Sequence, residues 1–525
     1  MDYLSDLDAP LLRLSPHDSF TLRDAVAGVH CFGGIGSGKS SGLAKTLAGA
    51  YLRAGMGGIV MTAKPDEIAL WTEYARHNGR ASSLVIFDES CGYNFLAHEL
   101  ARQGVAGVGS VIECLLAVLE ASDHATGSTA KDGDAFWAQS IRQLLQYAVP
   151  LLFAAYGTIS VSSVIAFVTT AATRPEQYVD PGFSQSSFAA QTLRKAVDAP
   201  AVPLPGPELQ TLLEYWFRQY PAIPEKTRGN IVISLSTRLD RFLHGRLRDC
   251  FCGHTDVVPE MIFGGAVIIL AMPALTWQAD GLVGQMLFKY MTQRVIESRN
   301  SLSRDQRDRP CFLFADESHY FTSSYDDTFL STCRSSRACM VYLSQTLPSY
   351  YARLGKDKTD AIDGLIGKFA TQVFFGNACH RTNTYASQLI GRGIQLRANE
   401  SRSVGTSTSR GMNMGANVGS SDSFNTGSST TYDGQRANSS RSTGNALSTS
   451  EGQSWGMNVG QGTSETTSWG ASEQMDYLVE PRVFASALKA GGPANRNLVT
   501  ALWFKAGGHF RSGGGGNVLL TTFRQ

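Results

Sequence analysis

The chain of 525 residues is 43% hydrophobic, enough to bury a large core, and its length predicts roughly two to four domains. Lys and Arg number 46 against 45 Asp and Glu, a net charge of +1, which excludes a global attraction to nucleic acid and leaves only local contacts. Nine scattered cysteines argue against a secreted disulfide framework and for a reducing compartment.

The opening M-D-Y-L-S-D-L-D-A-P is acidic and lacks the regions of a signal peptide. No run reaches the roughly 18 to 20 apolar residues of a bilayer crossing; the best candidate, Ala148 to Val168, is interrupted by Pro150, Tyr156 and Gly157. The expectation is a cytoplasmic protein without a transmembrane segment. Cys250, Cys252 and His254 lack the second ligand pair of a zinc site, so thiols are expected there.

In chain order, Leu11 to Leu14 and Phe20 to Leu22 read as short strands. Val29 to Thr46, V-H-C-F-G-G-I-G-S-G-K-S-S-G-L-A-K-T, then fits G-x-x-x-x-G-K-[ST] with Gly33, Gly38, Lys39 and Ser40 in the fixed positions. A loop closing on a helix start points backbone N–H groups inward, and glycine lets that backbone approach phosphates. Gly33, Gly34, Ile35, Gly36, Ser37, Gly38, Lys39, Ser40 and Ser41 are the candidate nucleotide-binding residues, Lys39 on the terminal phosphates and Ser40 on magnesium. A strand at Gly28 to Phe32 and a helix at Ser41 to Arg53, with Leu43, Leu47 and Tyr51 on one face, supply the context that the motif requires.

Gly57 to Thr62 and Ser83 to Phe87 read as further strands around a helix at Asp66 to Gly79, an alternation that predicts a parallel, doubly wound α/β sheet. Helix-length amphipathic segments follow, clearest at Gly107 to Ala121 and Asp134 to Ala155, where Trp137, Ile141, Leu144, Leu145 and Ala148 share a face. Strand patterns return at Ala266 to Met272, Cys311 to Ala315, Met340 to Gln345 and Thr371 to Phe375. Helices are expected at Arg228 to Leu243, Asp280 to Ser298 and Thr382 to Ile390.

Glu400 to Gln474 is built from Ser, Gly, Thr and Asn, a composition that buries too little apolar surface to offset its ordering entropy, and reads as a disordered insertion. Within it Gly411 to Val418 weakly matches Gly456 to Val459, and Ser454-Trp455-Gly456 matches Ser468-Trp469-Gly470, recurrences that a biased segment also produces by chance. Globular composition resumes after Met475. The expected organisation is a RecA-like ATPase domain in pieces at 1–96, 226–399 and 475–525, with an all-α insertion at 97–225 and the low-complexity insertion at 400–474.

Hydrolysis needs a carboxylate holding magnesium at a buried strand end, beside a base that orients water. P-C-F-L-F-A-D-E-S-H at Pro310 to His319 offers Asp316 for the metal and Glu317 for the base. Gln345, ending M-V-Y-L-S-Q, is placed to sense a γ-phosphate if its strand lies beside Cys311 to Ala315. Arg334 and Arg337, between those strands, are candidates for an arginine acting on a neighbouring subunit's nucleotide.

Taken in order, G-G-I-G-S-G-K-S, Y-N-F-L at Tyr93 to Leu96, F-W-A-Q-S at Phe136 to Ser140, F-L-F-A-D-E at Phe312 to Glu317, C-R-S-S-R at Cys333 to Arg337 and Y-L-S-Q at Tyr342 to Gln345 resemble the conjugative coupling proteins of type IV secretion, the TraG and TrwB group. That group lies within the FtsK and HerA class of ring translocases. The resemblance runs over nearly all of Phe20 to Gly391 and again after Met475. It implies ATP and Mg2+ as cofactors, Lys39, Glu317, Gln345 and Arg334 as catalytic residues, and Ser40 and Asp316 on the metal. It further implies a homo-hexamer with DNA in a central pore and a protein partner on the all-α domain. Three features depart from the family: the transmembrane helices with which coupling proteins begin are not found, Thr62-Ala63-Lys64-Pro65-Asp66 replaces an Asp-Pro-Lys strand end, and the Ser/Gly-rich insertion is added. Two other readings stay open, a HerA-like motor partnered with a nuclease in repair or phage defence, and a nucleotide-gated recruitment platform without motor activity.

Overall fold

The computed structural model describes residues 6–104, 107–127, 134–299, 302–413, 419–433, 436–450 and 456–525. It divides into two units, Met1–Ala386 with Pro481–Gln525, and Ser387–Glu480.

The first unit opens with an antiparallel pair, β1 (Pro10–Arg13) and β2 (Ser19–Thr21). Five strands then come from apolar runs that are buried end to end: β3 (Val29–Phe32), β4 (Gly57–Met61), β6 (Val267–Leu270), β7 (Cys311–Ala315) and β8 (Ala338–Ser344), with the less buried β5 (Leu84–Phe87) falling between β4 and β6 in the chain. Unbroken apolar runs suit parallel strands covered on both faces. Together with β9 (Thr371–Phe374) they form the parallel core β9-β3-β8-β7-β4-β6-β5.

Alternation along these strands divides two cores. Ile59, Met61, Leu313, Ala315, Met340 and Tyr342 join one that runs on into the helical segments. Val60, Phe312, Phe314, Val341 and Leu343 face the other, with Leu47, Tyr51 and Trp71. Trp71 stacks on Phe312 with ring centroids 5.8 Å apart. Full burial of such side chains contributes about 1.5–3 kcal/mol each.

The helical region between β5 and β6 contains the two helices expected most clearly, Gly107–Thr126 and Asp134–Tyr156. Ile141, Leu144, Leu145 and Ala148 are buried as one face while Trp137 is half-buried. Asn94 starts its helix by accepting a hydrogen bond from the Ala97 N–H, and Ser160 caps the helix Val161–Thr170 by a reciprocal pair with Ser163. The later helix spans Ala274–Ser298, but Gln278, at φ 53° and ψ −130°, breaks it near where the sequence predicts its start. Among the described residues no single helix is long and apolar enough to cross a membrane; one pair, Phe136–Tyr156 with Val161–Thr170, passes on length and composition but is bent by 114°.

The second unit corrects the expectation of disorder. β10 (Arg392–Asn413), β11 (Gly419–Asp433), β12 (Arg436–Ser450) and β13 (Gly456–Tyr477) form an antiparallel sheet in the order β12-β11-β10-β13. Long ladders satisfy the backbone polar groups without a deep core, and frequent Thr suits a pleated strand, so low apolar content does not preclude order here. Part of the weak recurrence pairs with itself: Gly411, Met412 and Asn413 lie opposite Asn458, Met457 and Gly456. Residues 414–418, 454 and 455 of that recurrence lie outside the described residues.

The chain closes the large sheet with β14 (Leu498–Lys505), antiparallel to β9, and β15 (Val518–Arg524), antiparallel to β14, giving nine strands in all.

Candidate nucleotide site

Strand order decides which loops meet. β8 lies between β3 and β7, with Phe32 opposite Ser344 and Ala315 opposite Tyr342. The chain therefore leaves the same edge of the sheet as the phosphate-type loop from β3, as Gln345 from β8, and as Asp316 and Glu317 from β7. This is the edge at which open parallel sheets bind ligands.

The loop from Gly33 is held to the sheet by backbone hydrogen bonds, Gly33 N–H to the Ser344 carbonyl at 3.2 Å and Gly34 N–H to the Gly376 carbonyl at 2.9 Å. Gly36 and Gly38 have φ of 72° and 85°. At Gly38 a Cβ would come within 2.6 Å of Val499 on β14, and at Gly42 within 3.2 Å of Phe523 on β15. The C-terminal hairpin thus packs directly on the loop and its helix, a role that the strand-like sequence of the hairpin does not announce. The helix opens as a π-helical turn, Lys39–Ala44, before Lys45–Arg53 continues as α-helix; such turns are frequent at functional sites. Ile35 projects with 90% exposure, and Ser41 accepts a hydrogen bond from Gln525 Nε2 at 2.9 Å.

Lys39 and the two carboxylates form one buried cluster. Lys39 Nζ is 3.0 Å from Glu317 Oε1 and 3.4 Å from Asp316 Oδ1. Burial works against the Lys39 charge, yet the Asp316 and Glu317 carboxylates hold its pKa above the usual lysine value. Burial likewise works against the Glu317 charge, but the Lys39 ammonium and the hydrogen bond from Gln345 leave its carboxyl below the ordinary range. Ser40 Oγ donates to Asp316 Oδ2 at 2.5 Å. Two hard oxygen donors side by side at a phosphate-type loop fit Mg2+.

Gln345 reaches this cluster as its strand position predicts: its Nε2 donates to Glu317 Oε1 at 3.0 Å. Asn377 fixes the Gln345 backbone by donating to its carbonyl at 2.8 Å. Glu317 itself sits in the left-handed region at φ 53°, ψ 45°. Backbone strain of this kind costs about 1–3 kcal/mol and persists where surrounding contacts over-determine it. The next residue supplies them: Ser318 Oγ is 2.9 Å from the Leu343 carbonyl and 2.6 Å from the Tyr350 hydroxyl, which is 2.8 Å from His30 Nε2 on β3.

Arg334 and Arg337 are not brought to the cluster. Both precede β8, so they stand at the opposite edge of the sheet. Arg334 is exposed, while Arg337 has φ 48° and donates to the Asp308 carbonyl at 2.9 Å.

Several residues at this edge were not legible as site residues. Asp66, the acid noted after Lys64-Pro65, is exposed; Glu67 is the one turned inward, at 8% exposure. The Ala63 N–H donates to Glu67 Oε2 at 2.8 Å, while Oε1 has no hydrogen-bond partner. Burial, with the Asp316 charge adding to it, pushes the Glu67 carboxyl up to about 8. His319 Nδ1 lies 3.1 Å from Ser344 Oγ and 3.7 Å from Glu317 Oε2. A cleft of about 510 Å3 adjoins the loop, lined by Gly34, Ile35, Gln345, Cys379 and Leu488 among others.

Residues 310–451 match the family described as the TraM recognition site of TraD and TraG. Among solved structures, the chain is similar to the bacterial conjugative coupling protein TrwBdeltaN70 in its unbound monoclinic form, with 14% identity, 99% of this chain and 89% of that chain covered, and a TM-score of 0.53. It is also similar to the plasmid coupling protein TrwB in complex with the non-hydrolysable ATP analogue ADPNP (14% identity, 99% and 90% covered, TM-score 0.52) and to TrwB in complex with ADP and Mg2+ (13%, 96% and 86%, 0.51). At these identities the likeness is one of fold. No curated protein matches the chain. The sequence match and the shared fold agree with the resemblance to conjugative coupling proteins carried by the sequence motifs.

Proposed function

We propose that this chain, which has the fold of the conjugative coupling proteins, is a cytoplasmic ATPase that assembles into a homo-hexameric ring and couples hydrolysis to moving DNA through a central pore. The observation that carries the reading is the meeting of Lys39, Glu317 and Gln345 on one carboxylate oxygen, at a phosphate-type loop. Gly33 to Ser41 bind the nucleotide phosphates, and Lys39 exchanges its carboxylate partners for the terminal phosphates. Ser40 and Asp316 hold Mg2+, which supplies positive charge to the phosphate oxygens when bound. Glu317 orients the attacking water, and Gln345 ties that carboxylate to β8.

Arg334, at the far edge of its own sheet, has a catalytic role only toward a second copy. A ring supplies that copy, and repeated pore loops supply the local contacts that a chain of net charge +1 needs to grip a polyanion. The match to a family described as a TraM recognition site supports a protein partner as well.

The test is ATPase rate with and without DNA over a range of protein concentration. Stimulation by DNA and a rate per subunit that rises with concentration are expected, and a rate indifferent to both overturns the reading. Glu317→Gln separates a motor from a recruitment platform, since only a platform retains its output when hydrolysis stops.

A further inference from the structure

Glu67 stands at the edge of the sheet where the nucleotide loop, Asp316 and Glu317 meet, and the hydrolysis proposed there gives it no part. β4 lies beside β7 with Met61 opposite Ala315, so the residues that follow β4 leave the sheet next to Asp316. Gln285, fully buried, fixes that exit: its Oε1 accepts from the Thr62 N–H at 2.7 Å and its Nε2 donates to the Thr62 carbonyl at 2.9 Å. The Leu275 N–H donates to the Ala63 carbonyl at 3.0 Å, and the Ala63 N–H is left to hold Glu67 Oε2. The carboxylate is therefore anchored on backbone that is itself pinned.

Helix formation alone does not account for Glu67. An acid in the first turn of the helix Asp66–His77 favours the helix dipole, but Asp66 supplies that from solvent. Glu67 is instead buried, with Oε1 lacking a hydrogen-bond partner. A buried carboxylate oxygen left in that state costs free energy until a donor or a cation completes it. Burial and the Asp316 charge both act against the ionised form, and the Lys64 charge with the backbone N–H groups of Ala63 and Lys64 offsets them only in part.

The same edge gives up a cation when nucleotide enters. Lys39 Nζ lies 3.0 Å from Glu317 and 3.4 Å from Asp316, and its transfer to the phosphates leaves Asp316, Glu317 and Glu67 as three carboxylates at the ends of two neighbouring strands. A divalent ion on Ser40 and Asp316 compensates them. Mg2+ dehydrates reluctantly and keeps several waters when it is bound by one or two protein oxygens and by phosphates. Those waters are polarised into strong donors, and they need acceptors. Among the described residues no group of three or more His, Cys, Asp and Glu is placed to hold an ion directly, which leaves a water, rather than the ion itself, as the group that Glu67 meets.

We propose that Glu67 is a positioning residue of the Mg2+ site: its Oε1 accepts a hydrogen bond from a water in the hydration shell of the ion held by Ser40 and Asp316, while the Ala63 N–H fixes Oε2. The inference rests on the nucleotide site proposed above. Outer partners of this kind change how tightly an ion is held by about 10–100-fold.

Binding of ADP to the full chain over a range of MgCl2, with no turnover involved, tests it. Mg2+ is expected to tighten ADP binding to the parent chain. In Glu67→Gln the Mg2+ concentration that half-saturates this tightening is expected to rise about 10–100-fold, while ADP affinity in EDTA stays at the parent value. The thermal midpoint in EDTA should also be unaltered, because the amide of Glu67→Gln still accepts from the Ala63 N–H, whereas the rise in midpoint produced by ADP with MgCl2 should shrink. An unaltered Mg2+ dependence in Glu67→Gln overturns the proposal. So does a midpoint lowered equally with and without MgCl2, which would make Glu67 a packing residue. Asp316→Asn separates the two readings. If it weakens the Mg2+ dependence and Glu67→Gln does not, the role of Glu67 falls alone; if Mg2+ leaves ADP binding to the parent chain unchanged, the metal site falls and this inference with it.

Discussion

Lys39 and Gln345 converge on a single atom, Glu317 Oε1, each at 3.0 Å. The other oxygen, Oε2, is buried without a hydrogen-bond partner, and the residue is held in a left-handed conformation. A carboxylate pinned on one oxygen and open on the other is suited to receive a water. Glu317→Gln is expected to lower hydrolysis by about 10²–10⁴, the usual worth of a general base. Nucleotide affinity should stay close to the parent value. Gln345→Ala should lower turnover in the same direction but less, because the Glu317 carboxylate itself is still present. Single-turnover hydrolysis alongside equilibrium nucleotide binding separates the two, and a Gln345→Ala chain with unaltered turnover removes Gln345 from the site.

Gly38→Ala tests the packing of the C-terminal hairpin on the loop. Two costs combine at this position: a left-handed backbone, worth about 1–2 kcal/mol for a residue with a Cβ, and Val499 side-chain atoms at 2.6 and 2.7 Å from that Cβ. Gly38→Ala should lower the thermal midpoint and weaken nucleotide binding. Adding Val499→Ala should restore part of the midpoint, the steric share. Full restoration would mean that the backbone conformation carries no cost.

Much of this arrangement was legible because the chemistry is local in sequence. Gly33 to Ser40, Asp316-Glu317 and Gln345 each follow an apolar run, and apolar runs became adjacent parallel strands, so three motifs fell on one sheet edge. What stayed hidden depends on contacts between distant segments. His30 sits inside V-H-C-F and its role rests on Tyr350, 320 residues away. Asp66 and Glu67 are neighbours of the same charge, and only the Ala63 N–H, by holding Glu67, decides which one turns inward. The strands β10 to β13 were missed for a different reason: composition counts apolar burial, whereas this sheet is built on long backbone ladders.

Beside the Tyr342 hydroxyl on β8, Lys289 and Asp326 form an ion pair with both side chains fully buried. Gln293 Nε2 at 2.7 Å, the Tyr342 hydroxyl at 2.9 Å and the Ser323 N–H at 3.0 Å also donate to Asp326. Removing one charge from such a pair leaves the other uncompensated. Lys289→Met is therefore expected to cost about 3–5 kcal/mol, read as a lower urea midpoint. Lys289→Met with Asp326→Leu should recover a large part. If the double variant is no more stable than the single, the remaining polar groups rather than the charge carry the cost.

His30 gives the fold an acid-side weakness. Burial pushes its imidazole from the ordinary 6.5 down to about 3. The unfolded chain therefore binds a proton near pH 6.5 that the folded chain refuses until about pH 3. The His30 contribution is fully present above pH 6.5 and is lost as pH falls through that window, by at most about 1.4 kcal/mol per pH unit. Denaturant unfolding at pH 7 and pH 5 should show a smaller loss for His30→Gln, whose amide can still meet the Tyr350 hydroxyl. Equal losses in both chains would assign the acid sensitivity to other groups.

Arg334 precedes β8 by four residues, and the loop from Gly33 meets the far end of that strand. The seven residues of that strand separate them by about 3.3 Å each, beyond the reach of an arginine side chain. Arg334→Ala should therefore leave nucleotide binding and stability unchanged in an isolated chain. If it serves a neighbouring copy, turnover in the assembly should fall by roughly 10³ to 10⁵. Mixing provides the decisive measurement. A Lys39→Ala chain has no working loop but an intact Arg334, while an Arg334→Ala chain has the reverse, so each is inactive alone and their mixture should regain turnover. A mixture as inactive as its components would mean that Arg334 does not act between copies. Arg337 is a poor substitute, because its guanidinium already donates to the Asp308 carbonyl.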